Sequence, residues 1–176
     1  MKRFTILFSV LLLIAMTVSV AYAVPPEKET FEGIDEDPLF SCGDFGLGDF
    51  TVMLREEYSG FYSTHYDGDG NLVKEVGRVS GIDTLYVDGY PERAISGNYH
   101  LNWTLYPDPE TGEWMLEHDS GLPWNIQLPG YGNLIHYSGT TTWLYDPAVG
   151  DWQAIKEAGL RYFDPVPLCE YLAPPA

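Results

Sequence analysis

The chain has 176 residues, and 26 acidic against 9 basic residues give it a formal net charge of −17. Such a charge repels nucleic-acid phosphates and anionic lipid head groups, which excludes the basic surface that DNA-, RNA- and membrane-surface-binding proteins use. The length suits one domain that can bury a substantial core without metals or many disulfides.

The first 23 residues have the order of a cleavable export signal. Lys2 and Arg3 form a basic head, residues 4–20 are mostly apolar, and Ala21-Tyr22-Ala23 supplies the small residues that a signal peptidase accepts. Cleavage leaves 153 residues beginning at Val24, in which 7 basic residues face 26 acidic ones, a net charge of −19. We expect a secreted protein, periplasmic if the host has two membranes, with no stable membrane association after cleavage. An uncleaved N-terminal anchor is the alternative.

Composition divides the remaining chain into three segments. Residues 24–38 are acidic, contain prolines and have few apolar side chains, which predicts a flexible leader. Residues 39–172 carry the apolar and aromatic residues of a single domain. Residues 173–176, Ala-Pro-Pro-Ala, predict a frayed tail.

The domain has the pattern of an all-β protein. Tyr, Trp, Val, Thr and Ile are frequent, and Gly or Asx-Pro turns recur roughly every 8 to 15 residues. Alternation is clearest from Ile95 to Leu105, where one face is apolar and the other polar. This predicts an antiparallel meander, with an up-and-down β-barrel favoured over a two-sheet sandwich. The predicted strands lie near Asp49–Glu57, Gly60–Tyr66, Leu72–Val79, Ile82–Asp88, Arg93–Tyr106, Glu113–His118, Asn125–Leu128, Leu134–Tyr145, Trp152–Glu157 and Leu160–Phe163.

Turn motifs support hairpins between these strands. Asp67–Asn71, DGDGN, contains residues that tolerate positive φ. Its acidic spacing resembles the start of an EF-hand loop, but Leu72 and Arg78 stand where that loop needs Gly and Glu, so a hairpin is predicted. An Asp-Pro-x-x-Gly turn occurs at both Asp108–Gly112 and Asp146–Gly150. A helix over residues 151–159 is the alternative to the strands predicted there.

The two cysteines, Cys42 and Cys169, predict a disulfide that ties the ends of the domain together, because an even count in an exported chain favours pairing. Two isolated thiols lack the spacing of a zinc site, and there is no Cys-x-x-Cys redox motif. Closing so long a loop contributes roughly 5 kcal/mol in the chain-entropy model.

The aromatic side chains are the candidate binding residues. Amphipathic aromatics on an exported β-scaffold stack on sugar rings or line an apolar cavity, whereas ordinary core packing and cross-strand pairing are the alternative. The candidate ligand-binding residues are Trp103, Trp114, Trp124, Trp143 and Trp152.

The histidines are weaker candidates. None forms a His-x-His or His-x-x-x-His pair, and no nucleophile elbow is present, so no catalytic residue is assigned and neither a metal nor a cofactor is predicted. The histidines on predicted strands are His65, His100, His118 and His136.

Several motifs together resemble a loose group of exported bacterial all-β proteins of unknown function, each with one end-to-end disulfide. They are Phe40-Ser41-Cys42-Gly43, the Asp67–Asn71 and Asp108–Gly112 turns, and Leu168-Cys169, and the likeness spans residues 40–172. The resemblance implies the fold and the disulfide, and it implies no catalytic residue.

The sequence therefore predicts a secreted, soluble, non-enzymatic protein that binds an apolar or glycan ligand in a barrel mouth or on an aromatic face. One alternative is a hydrolase or isomerase that uses a His/carboxylate site in the barrel mouth. The other is an acidic surface or matrix component that binds Ca²⁺. Nucleic acid is not an expected partner.

Overall fold

The structure, a computed structural model, describes residues 25–175. The predicted signal peptide, residues 1–23, lies outside the described residues, as do Val24 and Ala176. The described part is all-β apart from one helix and two short 3₁₀ turns. Its elements are β1 (Glu27–Ser41), β2 (Thr51–Tyr66), β3 (Leu72–Val87), β4 (Ile95–Pro107), β5 (Trp114–Leu128), β6 (Gly132–Asp146), β7 (Asp151–Phe163) and α1 (Pro165–Leu172), with 3₁₀ turns at Cys42–Phe45 and Pro91–Arg93.

The strands form one antiparallel sheet in the order of the chain, β1 to β7. This confirms the antiparallel meander, but the predicted barrel is wrong, because β1 and β7 remain the two edges of an open sheet. With seven strands in an up-and-down order, β1 and β7 run in the same direction. Closure would therefore need a parallel pair, whereas each hairpin connection produces an antiparallel one.

The strands are longer and fewer than the sequence predicts. Strands β2, β3, β5 and β7 each run through a Gly-containing segment at which two shorter strands were expected. These glycines do not end a strand, because they allow close approach of a neighbour. A Cβ built on Gly81, for example, would lie 2.3 Å from the Glu57 carbonyl oxygen. The segment 151–159 is strand, as predicted, and not helix.

The N-terminal segment is also corrected. Where the sequence predicts a flexible leader over residues 24–38, the structure has β1, paired with β2 from Glu27 opposite Thr64 to Ser41 opposite Thr51. The acidic side chains of β1 are exposed, and Phe31 anchors the strand, with its ring 6.1 Å from that of Trp103 between centroids. An edge strand needs only one partner, and the sequence alone does not show that β2 is long enough to supply it.

The hydrophobic core lies at one end of the sheet, which we call the closed end; the opposite half is the open end. Helix α1 covers the closed end. It begins after Asp164, whose side chain accepts a hydrogen bond from the Val166 N–H, and Arg93 Nη1 donates to the Ala173 carbonyl beyond its last turn. The buried core consists of Cys42, Val52, Leu54, Leu85, Val87, Ile95, Ile126, Leu134, Ile135, Leu168, Cys169 and Leu172.

The predicted disulfide is confirmed. Cys42 and Cys169 are bonded, with their Cα atoms 5.9 Å apart, and both are fully buried. The bond joins helix α1 to the 3₁₀ turn that follows β1, so it holds α1 in place over the closed end. The predicted hairpin at Asp67 is confirmed as well: its Oδ1 accepts from the N–H groups of Asp69 and Asn71, both at 2.9 Å.

Candidate functional site

Cross-strand pairing assigns each strand residue to one of two faces, because directly paired residues point the same way. The face on which Leu54, Leu85 and Ile95 are neighbours carries the core, and we call it the inner face. Arg161 is the one Lys or Arg of strands β1–β7 that lies on it. All four histidines lie on the opposite, outer face: His65, His100, His118 and His136.

Two of the outer-face histidines have neutral hydrogen-bond partners. His118 Nδ1 lies 3.1 Å from Thr142 Oγ1, and His136 lies between Asn125 Oδ1 at 3.3 Å and Ser138 Oγ at 3.2 Å. These are ordinary polar contacts on the face of the sheet that lies opposite the core. Within residues 25–175, no three His, Cys, Asp or Glu side chains come together in a way that could hold a metal ion.

The five candidate tryptophans do not form one site. Trp103 packs over Gly77 beside Phe31, and Trp152 packs edge-on against Tyr145 with ring centroids 5.6 Å apart. Trp114 lies at the tip of the open end, opposite Pro107. The other two, Trp124 and Trp143, line a common groove.

This groove crosses β5, β6 and β7 on the inner face and has a volume of about 210 Å³. Trp124 and Tyr137 form one wall, with ring centroids 6.2 Å apart and planes inclined by 30°. The Arg161 guanidinium lies 5.5 Å from the Tyr137 ring centroid. We call the lining set Asp119, Trp124, Tyr137, Thr141, Trp143 and Arg161 the groove residues.

Not every polar atom of the groove residues has a hydrogen-bond partner. Asp119 Oδ2 accepts a hydrogen bond from Trp143 Nε1 at 2.8 Å, whereas Asp119 Oδ1 is buried and has no partner. Arg161 Nη2 donates to Thr141 Oγ1 at 3.0 Å and to Glu157 Oε1 at 2.6 Å. The groove thus offers a positioned guanidinium and a buried acceptor that lacks a donor.

A second carboxyl group adjoins Asp119. Glu117 lies on the same face two residues earlier, and burial, followed by the nearby charge of Asp119, raises the pKa of Glu117. Repulsion by the Asp119 charge therefore favours the form in which Glu117 keeps its proton.

The floor of the groove carries no side chains, because three glycines pair there across the sheet. Gly121 is opposite Gly139, and Gly139 is opposite Gly159. All three have positive φ, at 148°, 130° and 134°, and the backbones approach so closely that a Cβ on Gly139 would lie 2.0 Å from the Ala158 carbonyl oxygen. Side chains of the neighbouring rows therefore stand around an empty strip.

Sequence reasoning missed Asp119, Tyr137, Thr141 and Arg161, because their proximity depends on strand register. One signal was present in the sequence. A small residue followed by Gly occurs in six of the seven strands, at 59–60, 80–81, 96–97, 120–121, 138–139 and 158–159. The strand register is needed to show that the last three of these dipeptides lie side by side and form the floor of the groove.

A separate acidic row crosses β1, β2 and β3 on the inner face, where Asp35 is opposite Glu56 and Glu56 is opposite Asp83. Burial raises the pKa of Glu56, and the charges of Asp35 and Asp37 raise it further. Burial, followed by the charge of Glu56, raises the pKa of Asp83 to about 7. This row lies outside the groove.

Comparison with known proteins found no match: no protein-family model fits the chain, and no curated protein or solved structure matches it. The one helix of the described part, α1, is not long and apolar enough to cross a membrane.

Proposed function

We propose that this protein is a non-enzymatic binding protein whose inner-face groove holds one saccharide ring of a glycan. The observation that carries the proposal is the pairing of an aromatic wall, Trp124 and Tyr137, with the unpartnered carboxylate oxygen of Asp119 and the guanidinium of Arg161. A sugar ring has an apolar face that packs on aromatic rings and hydroxyl groups that donate to a carboxylate and accept from a guanidinium.

The size of the groove fits this ligand class. At about 210 Å³ it is smaller than the roughly 300–1,000 Å³ of sites for drug-sized molecules. A single ring fills such a space, and the rest of a chain would extend beyond it. A site of this kind binds weakly by itself, so affinity for a glycan would come from several contacts along the inner face.

A wholly apolar ligand suits the groove less well. It would leave Asp119 Oδ1 buried without a donor and would further desolvate Arg161. Burying a polar group without a hydrogen bond costs about 1–3 kcal/mol, which an apolar ligand of this size does not recover easily. We therefore favour the glycan over the apolar ligand.

Binding is also favoured over hydrolysis. Glu117 and Asp119 stand side by side on one face of β5, whereas the two carboxyl groups of glycosidases stand on either side of the bond to be cleaved. The histidines lie on the other face, so a His/carboxylate pair in the groove would need a different arrangement of the sheet. We propose that the protein acts outside the cytoplasm, as its predicted signal peptide indicates.

A glycan array probed with labelled protein, followed by calorimetry on the strongest hit, tests the proposal. We expect Trp124→Ala to weaken binding by roughly 30-fold, since truncating a central aromatic anchor costs about 2 kcal/mol or more. Trp114→Ala, at the open tip away from the groove, is the matched control and should bind as the unmodified protein does. Equal losses in the two variants, or no glycan bound at all, would contradict the proposal.

A further inference from the structure

The last strand, β7, is an exposed edge. From Gln153 to Phe163 every residue is exposed, and among residues 25–175 no strand pairs with its outer side. Its backbone N–H and C=O groups on that side are therefore available to another strand. Two large side chains of this strand, Leu160 and Tyr162, are 56% and 42% exposed.

The two edges of the sheet differ in charge. Strand β1 carries six acidic residues and one Lys, so two copies of this edge repel each other. Strand β7 carries Asp151 and Glu157 against Lys156 and Arg161, a net charge of zero. In a chain with a net charge of −17, β7 is the edge at which a second copy can approach without local repulsion.

The sequence of β7 is complementary to itself about Gly159. In an antiparallel pairing centred on this residue, opposite positions hold residues that stabilise one another across two strands. We propose that β7 pairs in this way with β7 of a second copy, related by a two-fold axis through Gly159. The facing pairs are Gly159 with Gly159, Ala158 with Leu160, Glu157 with Arg161, and Lys156 with Tyr162.

The faces agree with this register. Glu157 and Arg161 both lie on the inner face and already bond at 2.6 Å within one strand, so the dimer joins two such pairs into four alternating charges. Leu160 and Tyr162 lie on the outer face, where Leu160 packs on the partner's Ala158 and Tyr162 on the alkyl chain and ammonium of the partner's Lys156.

The local geometry also sets the limits of the pairing. The register with β6 shifts between Thr142 and Trp143, so that Ile155 is a bulge residue opposite no partner. The regular run of β7 therefore begins at Lys156 and ends near Phe163, and Gly159 lies close to its centre. Because a single strand pair is a small interface, we expect a dimer with a Kd on the order of micromolar.

Sedimentation velocity of the full mature chain over a range of concentrations tests the pairing. The unmodified protein should change from monomer to dimer as concentration rises. Glu157→Arg alone and Arg161→Glu alone each place like charges opposite one another and should shift the equilibrium to monomer by tenfold or more in Kd. The double variant Glu157→Arg/Arg161→Glu restores opposite charges and should restore the dimer.

Two further variants separate the interface from general damage. Leu160→Lys changes an exposed side chain that the monomer does not need, and it should abolish the dimer while circular dichroism stays unchanged. Glu32→Arg changes the charge of the other edge, on β1, and should leave the dimer intact. A monomer at every concentration, or single charge reversals that leave the dimer as strong as before, would overturn the proposal.

Discussion

At the scale of one residue, Asp83 shows how this fold changes the protonation of a buried acidic side chain. The side chain is 1% exposed, and neither carboxylate oxygen has a hydrogen-bond partner. Burial, followed by the charge of Glu56, raises the pKa of Asp83 from 3.8 to about 7. The folded protein therefore keeps this carboxyl protonated under conditions in which an unfolded chain would have lost the proton.

Whether the stability of the fold rises or falls with pH follows from the difference in proton binding between the folded and unfolded states. Because the folded state holds the proton more tightly, the stability from this group is fully present below about pH 4 and is lost as the pH rises to about 7. The loss amounts to about 4 kcal/mol, at 1.36 kcal/mol for each unit of pKa shift. Acidic rather than alkaline conditions therefore stabilise this part of the fold.

We predict that Asp83→Asn removes this loss. Its free energy of unfolding relative to the unmodified protein should increase between about pH 4 and pH 7 and reach a gain of about 2–4 kcal/mol at higher pH. Urea denaturation at a series of pH values measures it. Asp88→Asn, an exposed neighbour, is the control and should show no such trend. A constant difference between Asp83→Asn and the unmodified protein across this range would show that Asp83 is ionised in the fold.

At this scale, sequence reasoning succeeded where the chemistry is local. It paired Cys42 with Cys169 from their count and the predicted compartment, and it placed the histidines on strands. It did not single out Asp83 or Asp119. Asp83 neighbours another carboxyl group and Asp119 a tryptophan, and both proximities become apparent only when the strand register is known.

At the scale of elements, the paired glycines of β5, β6 and β7 determine the shape of the sheet. They have conformations that other residues rarely adopt, and the strands touch backbone to backbone at this row. The groove exists because side chains are absent here and present in the rows on either side.

We predict that Gly139→Ala destabilises the protein by about 3 kcal/mol or more, since its Cβ would collide with the Ala158 carbonyl oxygen and its φ is +130°. The control is Gly150→Ala in a turn. There φ is also positive, at +75°, but no atom lies within 4 Å of the added Cβ, so the cost should be about 1–2 kcal/mol of backbone strain. Chemical denaturation of both variants measures the difference, and equal costs would show that the strands are not in close contact at Gly139.

Element types were more predictable from the sequence than their extents. The strand character of β4, for example, follows from alternation over Ile95 to Leu105. The predicted extents of the strands were wrong for a physical reason. By propensity, a glycine between two apolar runs indicates a turn, whereas here such a glycine lies within a strand, in close contact with a neighbouring strand. The same reason hid β1, whose acidic sequence has low strand propensity but has a long partner.

At the scale of the whole molecule, the fold consists of a closed end and an open sheet. The core, α1 and the disulfide stabilise the closed end, and the sheet extends beyond it with an acidic inner face. A barrel would have buried this face. The open sheet leaves it available, and three aromatic side chains line a groove there, two of which, Trp124 and Tyr137, also pack against the core.

We propose that the groove, and not the other aromatic side chains, holds a sugar ring. Indole N–H signals in an ¹⁵N-correlated NMR spectrum report on all five tryptophans at once. We predict that titration with a panel of methyl glycosides, starting with those found by array, moves the signals of Trp124 and Trp143 and leaves those of Trp114 and Trp152 in place. Shifts confined to Trp114 and Trp152, or no shift with any glycoside at saturating concentration, would contradict the claim.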